Sequence, residues 1–213
     1  SIEHSSGISA QNELLNNFCG NNCNVTSNVL SLPSGGVNYI EVTAKNKPKK
    51  KGSEASTLLL AHGFGSGLGF FFPNYEALCG IYDRVISIDW LGMGLSSRYT
   101  PHPDKVPMKG WFNKNEMTPS KATDFFVDSL EEFRQEMALD SFVLAGHSLG
   151  GYLSARYAMK YPDKLKGLVL ISPIGIPPQP PKEDHVNFSE LSYKLQLFHA
   201  GWKKNFTPQV LSA

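Results

Sequence analysis

Residues 142–152 of this chain read Phe-Val-Leu-Ala-Gly-His-Ser-Leu-Gly-Gly-Tyr. The stretch begins with apolar residues typical of a buried strand, and a helical pattern runs from about Leu149 to Lys160. Between them lies Gly-x-Ser-x-Gly, which after a strand and before a helix is the pattern of a nucleophile elbow. So sharp a turn needs small neighbours, which Gly146 and Gly150 provide. We therefore predict that Ser148 is a nucleophile held at the helix N-terminus, where backbone amides favour negative charge.

Similar apolar runs occur elsewhere in the chain, at Leu58–Ala61, Val85–Ile88 and Leu168–Ile171. Strands that are apolar on both faces are typical of a parallel sheet covered by helices. Helical patterns separate the runs, and the clearest helix begins at Thr118-Pro119, an N-cap followed by proline at the first helical position. Alternating residues predict one more strand at Val37–Val42. The sequence thus predicts an α/β fold with a mostly parallel sheet flanked by helices.

The chain divides by composition into three regions. Residues 1–30 are polar and rich in Asn, and we expect a loosely attached N-terminal arm with a short helical patch at Asn12–Phe18. Residues 31–180 should form the α/β core, and residues 181–213 the start of a lid with a helix opening near Ser189. A basic run between Lys45 and Lys51 is interpreted as a solvated loop, with contact to anionic lipid headgroups as the alternative.

The composition excludes several classes of function. The 213 residues carry 20 Lys and Arg against 19 Asp and Glu, so the basic excess of a nucleic-acid-binding protein is missing. Cys19 and Cys23 are close and Cys79 is distant, so we expect reduced thiols in a cytoplasmic environment rather than a disulfide framework. No second cysteine pair completes a metal site, and no metal or organic cofactor is implied. No apolar run approaches the roughly 18 residues of a membrane-spanning helix.

A second motif, His62-Gly63-Phe64-Gly65, follows the strand that ends at Ala61. Acyl transfer passes through an oxyanion that needs hydrogen-bond donors already aimed at it. In the fold that carries such an elbow, these donors are the amide after the nucleophile and one on the loop after an earlier strand. Phe64 and Leu149 are the corresponding candidates, and His62 is expected to shape the loop rather than act as a base. The residues that support the motif are His62, Gly63, Gly146, His147 and Gly150.

Two further stretches allow more than one interpretation. Asp89–Ser97 follows the strand at Val85–Ile88 and is rich in glycine, but its spacing is not that of a dinucleotide site. We interpret Asp89 and its glycines as turn formers. The aromatic run Phe70–Phe72 fits either a wall for an acyl chain or ordinary helix-to-sheet core, and the sequence does not decide between them.

Taken with Ser129–Arg134, these motifs resemble the lipid-acting α/β-hydrolases of the phospholipid deacylase and lysophosphatidic acid acyltransferase group. That group includes cardiolipin deacylases and the N-acyl-phosphatidylethanolamine lysophospholipase. The resemblance implies a serine esterase or lipase that acts on acyl-glycerophospholipids or lysolipids, cytoplasmic and peripheral to a membrane or lipid-droplet surface. Some relatives replace the nucleophile by Asn and act as lipase co-activators, whereas this chain has Ser148. A non-catalytic, lipase-regulating protein and an acyl-CoA-dependent lysophospholipid acyltransferase are the alternatives.

A serine hydrolase also needs a histidine base and an acid, which follow the nucleophile in this fold. The remaining candidates are weak, because Asp163 falls in a turn before a strand and Asp184, His185 and His199 fall in the expected lid. The H-x4-D motif of the acyltransferases is absent as well. About 60 residues, enough for two more strand–helix units, would be needed to complete the sheet. We therefore expect a C-terminally incomplete or degenerate member of the group, inactive and poorly soluble by itself.

Overall fold

The computed structural model describes residues 2–18, 22–47, 55–98 and 118–175. The chain divides into two compact units, Ser1–Ile174 and Gly175–Ala213, and the described helices and strands belong to the first. Its helices are α1 (Ile2–Phe18), α2 (Tyr75–Ile81), α3 (Pro119–Glu136) and α4 (Leu149–Lys160), with 3₁₀ turns at Leu68–Asn74 and Pro162–Lys164. Its strands are β1 (Cys23–Leu32), β2 (Gly35–Ala44), β3 (Thr57–Ala61), β4 (Arg84–Ile88), β5 (Phe142–His147) and β6 (Leu165–Ile171).

The strands form one sheet in the order β1-β2-β4-β3-β5-β6. The last four in this order are parallel, whereas β1 and β2 are antiparallel to their neighbours. Every apolar run that the sequence singled out is a strand of the parallel part, and the predicted strand Val37–Val42 lies within β2. The predicted α/β fold, a mostly parallel sheet flanked by helices, is confirmed.

The central strand β3 explains why both faces of the sheet are covered. Leu59 faces α3 and α4, where it joins one apolar cluster with Phe133 and Tyr157. Its neighbours Leu58 and Leu60 join a second cluster on the opposite face. All five residues of the strand are buried, and each buried leucine side chain stabilises the fold by about 1.5–3 kcal/mol. A strand that is apolar throughout therefore requires helices on both sides.

The helix bounds follow the sequence closely at α3 and α4. Thr118 caps α3, because its hydroxyl accepts a hydrogen bond from the Lys121 amide, and Pro119 occupies the first helical position. Helix α4 ends at Lys160, before Tyr161-Pro162, as the proline predicts. In the part of the chain that the structure describes, no helix is both long and apolar enough to span a bilayer.

The predicted loose arm over residues 1–30 needs a correction. Helix α1 occupies Ile2–Phe18, and its Leu15 is buried in the core. Strand β1 pairs along its whole length with β2, from Cys23 opposite Ala44 to Leu32 opposite Gly35. The strand is mostly polar because one face is exposed to solvent. Its Asn, Ser and Thr residues are the reason that the sequence did not predict a strand there. The N-terminal region is therefore part of the folded unit.

Strand β6 forms one edge of the described sheet. Four consecutive apolar residues, Leu168–Ile171, each have between 36 and 45% of their surface exposed. An apolar strand at an edge favours pairing with a further strand. The region expected to be a lid, 181–213, lies outside the described residues.

Candidate active site

The backbone turns sharply at Ser148, between the end of β5 and the first residue of α4. Its φ of 54° and ψ of −115° are rare for a residue with a side chain, and such a conformation costs on the order of 1–3 kcal/mol. Three hydrogen bonds hold it: the Ser148 amide donates to the Ile171 carbonyl at 3.0 Å, and its carbonyl accepts from the Tyr152 and Ile174 amides at 3.1 and 3.2 Å. The predicted strand–turn–helix arrangement is confirmed.

Glycine is required at two positions beside the turn because backbones meet there. A Cβ on Gly150 would overlap the carbonyl oxygens of Ala61 and His62, so the start of α4 packs directly on the end of β3. A Cβ on Gly146 would overlap the Gly150 carbonyl and the hydroxyl of Ser154. The small residues of the motif thus bring the two loops at the carboxyl ends of β3 and β5 together.

The loop after β3 lies against the serine. A Cβ added to Gly63 would lie 3.0 Å from the Ser148 Cβ and 3.0 Å from Nδ1 of His147. Phe64 comes next in this loop and is 46% exposed, and Leu149 opens α4 on the other side of the serine. The structure thus places the loop of Gly63 and the start of α4 beside Ser148, at a helix N-terminus whose amides favour an anion.

Buried His62 fixes the shape of this loop. Its Nδ1 lies 2.7 Å from the Gly63 carbonyl oxygen, and its Nε2 lies 3.2 Å from the Trp90 amide, which can only donate. This network assigns the proton to Nδ1, so the ring is neutral. Burial lowers the pKa of His62, against the opposing effects of the Gly63 carbonyl and of Asp89. The indole of Trp90 also donates to the His62 carbonyl at 3.0 Å, so the loop is tied to the end of β4 twice.

Asp89 has a larger role than the turn former that the sequence suggested. Its carboxylate is buried and accepts hydrogen bonds from the Leu68 amide at 2.6 Å, the Leu95 amide at 2.9 Å and the Asn38 side chain at 2.8 Å. These donors belong to the 3₁₀ turn Leu68–Asn74, the loop after β4, and β2. One acidic residue thus joins three segments behind the loop of His62. The signal in the sequence was an acidic residue directly after a predominantly apolar, buried strand.

The aromatic run beside the site is divided between two roles. The ring of Phe70 stacks on His147, with centroids 4.5 Å apart and planes 17° from parallel, and half of its surface is exposed. Phe71 is buried in the core, and Phe72 is half-buried against it. The core interpretation of the run holds for Phe71 and Phe72, whereas Phe70 is turned to the surface beside His147, because a 3₁₀ turn directs successive rings to different sides.

Other sequence candidates are placed elsewhere or are not described. Asp163 lies in the 3₁₀ turn directly before β6. That turn is at the amino end of a parallel strand, whereas Ser148 follows the carboxyl end of β5, so the structure does not bring the two together. Asp184, His185 and His199 lie outside the described residues.

Comparison with known proteins agrees with the fold. Residues 56–206 match the family model described as the alpha/beta hydrolase fold, and the chain belongs to this family. The chain is 38% identical over 158 residues to a 1-acylglycerol-3-phosphate O-acyltransferase of Arabidopsis thaliana, covering 74% of this chain and 34% of that protein. It is 38% identical over 127 residues to a (lyso)-N-acylphosphatidylethanolamine lipase of Bos taurus, covering 60% of this chain and 33% of that protein. The chain thus spans about a third of the length of these relatives.

Solved structures show the same fold. A membrane phospholipase A described as a bacterial virulence factor superposes with a TM-score of 0.60 at 18% identity, over 97% of this chain and 53% of that one. A naproxen esterase of Bacillus subtilis superposes with a TM-score of 0.56 at 16% identity, over 78% of this chain and 48% of that one. At such low identity the likeness concerns the fold alone.

Proposed function

We propose that this protein is a serine hydrolase that cleaves acyl esters of glycerophospholipids or lysolipids, with Ser148 as the nucleophile. The observation that carries the proposal is the strained turn at Ser148, which lies at the start of α4 and directly against the loop of Gly63. A backbone strained at a serine that lies between a strand and a helix N-terminus, against a second loop, is typical of a site where the hydroxyl must be presented to a substrate.

The proposed reaction uses these groups in sequence. The Ser148 hydroxyl attacks the acyl carbonyl carbon while its proton passes to a base, and the Phe64 and Leu149 amides receive the oxyanion. Collapse breaks the ester C–O bond, the leaving alcohol takes the proton, and water then hydrolyses the acyl-enzyme by the same steps. His62 has both ring nitrogens engaged by backbone groups. Since the acid and the histidine base follow the nucleophile in this fold, we assign both to residues that lie after the described part of the chain.

The substrate class is supported by the relatives and by the surface beside the serine. The bovine relative is named a lipase of N-acylphosphatidylethanolamine and its lyso form. Phe64 and Phe70 expose 46 and 49% of their surface close to Ser148. These two rings offer an apolar wall to an acyl chain, while ester and headgroup reach the turn.

The test is fatty-acid release from lysophosphatidylethanolamine by the full-length protein. Ser148→Ala should reduce release by a factor of 10³ or more, since removing a nucleophile leaves only binding and oxyanion stabilisation. Ser120→Ala is the matched control, because Ser120 is an exposed serine on the first turn of α3. Unchanged release from Ser148→Ala would overturn the proposal.

A second candidate is an acyl-CoA-dependent transferase, which the name of the Arabidopsis relative favours. The two reactions differ in the acceptor of the acyl group. Full-length protein given labelled acyl-CoA and lysophosphatidic acid would form labelled phosphatidic acid if it is a transferase. A hydrolase would instead cleave lysophosphatidic acid to unlabelled fatty acid and glycerol 3-phosphate. If neither product forms, the non-catalytic, lipase-regulating alternative is favoured.

We also propose a cytoplasmic protein attached peripherally to a membrane or lipid-droplet surface. In the described part of the basic run, Lys47 is engaged within the protein, where it pairs with Asp83 at 3.3 Å and donates to the Ile81 carbonyl. Lys45 is exposed, and Lys49, Lys50 and Lys51 lie outside the described residues. Flotation with vesicles that contain phosphatidylserine tests attachment, and recovery of all the protein in the soluble fraction would contradict it.

A further inference from the structure

Two cysteines that are far apart in sequence meet inside the core. Cys23 is the first residue of β1, and Cys79 lies in the last turn of α2, 56 positions later. Their sulfur atoms are 2.9 Å apart, both residues are thiols, and they are only 5% and 1% exposed. No part of the proposed site uses either residue.

The surroundings hold the two sulfurs in place. The pair lies within the apolar cluster between the sheet and α2, beside Tyr75 and Val42. The Cys79 thiol also donates to the Glu76 carbonyl at 3.2 Å, one turn earlier in α2. Cys23 is held in place by the pairing of β1 with β2, in which it lies opposite Ala44. Because both side chains already point at each other, a bond between them needs little movement of the backbone.

We propose that Cys23 and Cys79 are a modification site, which peroxide converts into an intramolecular disulfide. One thiolate attacks hydrogen peroxide, releases hydroxide and becomes a sulfenic acid. The second thiol attacks that sulfur and displaces water, so two thiols and one peroxide give one disulfide and two waters. Each sulfur loses one electron, and the peroxide gains both. A dithiol reductant reverses the step by thiol–disulfide exchange.

The disulfide joins the edge strand to the helix that follows the 3₁₀ turn bearing Phe70. It closes a long loop of the unfolded chain, and such a constraint stabilises the folded state more as the loop lengthens. For a loop of this length and a chain of this size, the thermal midpoint should rise by about 10 °C. Addition of a dithiol should reverse the whole rise.

The experiment uses full-length protein, reduced and then incubated with hydrogen peroxide. Remaining thiols are blocked with N-ethylmaleimide, and non-reduced peptides are mapped by mass spectrometry. We expect one cross-linked pair, the peptides of Cys23 and Cys79, and a rise in thermal midpoint that dithiothreitol abolishes. Cys19→Ser is the matched control, because it removes the neighbouring cysteine and should leave the cross-link intact.

Three results would overturn the proposal. They are a cross-link that contains Cys19, an irreversibly oxidised cysteine in place of a disulfide, and two intact thiols in protein that remains folded. Cys79→Ser should lose both the cross-link and the rise in thermal midpoint. The wild-type and Cys19→Ser maps decide the question even where Cys79→Ser fails to fold.

Discussion

Substitution of Gly150 by alanine should damage both the fold and the site. A Cβ at this position would overlap the carbonyl oxygens of Ala61 and His62 and lie 2.8 Å from the Ala61 carbonyl carbon. Relief requires α4 to move away from β3 by about 1 Å, because packed interiors hold no spare volume. Overpacking against side chains costs about 1–3 kcal/mol. Because the added Cβ of Gly150→Ala meets backbone atoms of Ala61 and His62, which move less readily than side chains, we place the cost near the upper end. We expect the free energy of unfolding to fall by about 3 kcal/mol.

The same displacement moves the serine relative to the loop that bears Phe64. A misplacement of about 1 Å in a catalytic constellation costs roughly 10²-fold in rate. We therefore expect the full-length Gly150→Ala variant to react with a fluorophosphonate about 100-fold more slowly than the wild type, in a temperature range where it remains folded.

Urea denaturation and a time course of labelling measure the two effects. Gly80→Ala is the matched control, because a Cβ at Gly80 would meet no atom within 4 Å and the residue lies in α2. Since alanine restricts the unfolded chain, Gly80→Ala should be neutral or raise the free energy of unfolding by about 0.4–1 kcal/mol. Wild-type stability and labelling in Gly150→Ala would refute the close approach of α4 to β3.

Three further predictions concern Glu131, Asp89 and Phe70. Burial alone would raise the pKa of Glu131, but hydrogen bonds from Arg134, Tyr157 and Gln135 outweigh it and lower the pKa to about 2. Because the folded-state pKa of Glu131 lies below the unfolded value, its carboxylate contributes about 3 kcal/mol to the free energy of unfolding above pH 5, and this contribution is lost as the pH falls toward 2. Urea denaturation across that range should show a smaller loss of stability in Glu131→Gln than in the wild type. Asp89→Asn should lower the free energy of unfolding by about 2 kcal/mol, since both oxygens of the carboxylate accept hydrogen bonds and an amide has only one accepting oxygen. An unchanged urea midpoint would contradict this. Phe70→Ala should reduce the preference for long-chain over short-chain esters about fivefold, because the half-exposed ring is lost. The ratio of kcat/KM for the two substrates measures this preference, and an unchanged ratio would show that Phe70 does not contact the acyl chain.

The sequence predicted the parts of this fold that depend on local pattern. The strands at Leu58, Val85, Phe142 and Leu168 could be predicted because each is predominantly apolar, which is typical of strands in a parallel sheet covered by helices. The turn at Ser148 could be predicted because close packing permits only glycine at Gly146 and Gly150, two residues to either side of the serine.

Features that depend on contacts between distant residues could not be predicted. Strand β1 is polar, and only its pairing with β2 makes it a strand. The acceptor role of Asp89 depends on Asn38, 51 positions earlier. The meeting of Cys23 and Cys79 depends on the packing of α2 against the sheet, and their spacing in the sequence gives no sign of it.

The central claim is that Ser148 is a nucleophile, and mapping a covalent adduct tests it most directly. Full-length protein is treated with a fluorophosphonate, digested and analysed by mass spectrometry. We predict one modified peptide, with the adduct on Ser148, and no adduct in Ser148→Ala. An adduct on another serine that persists in Ser148→Ala, or an unmodified Ser148 in protein that releases fatty acid, would contradict it.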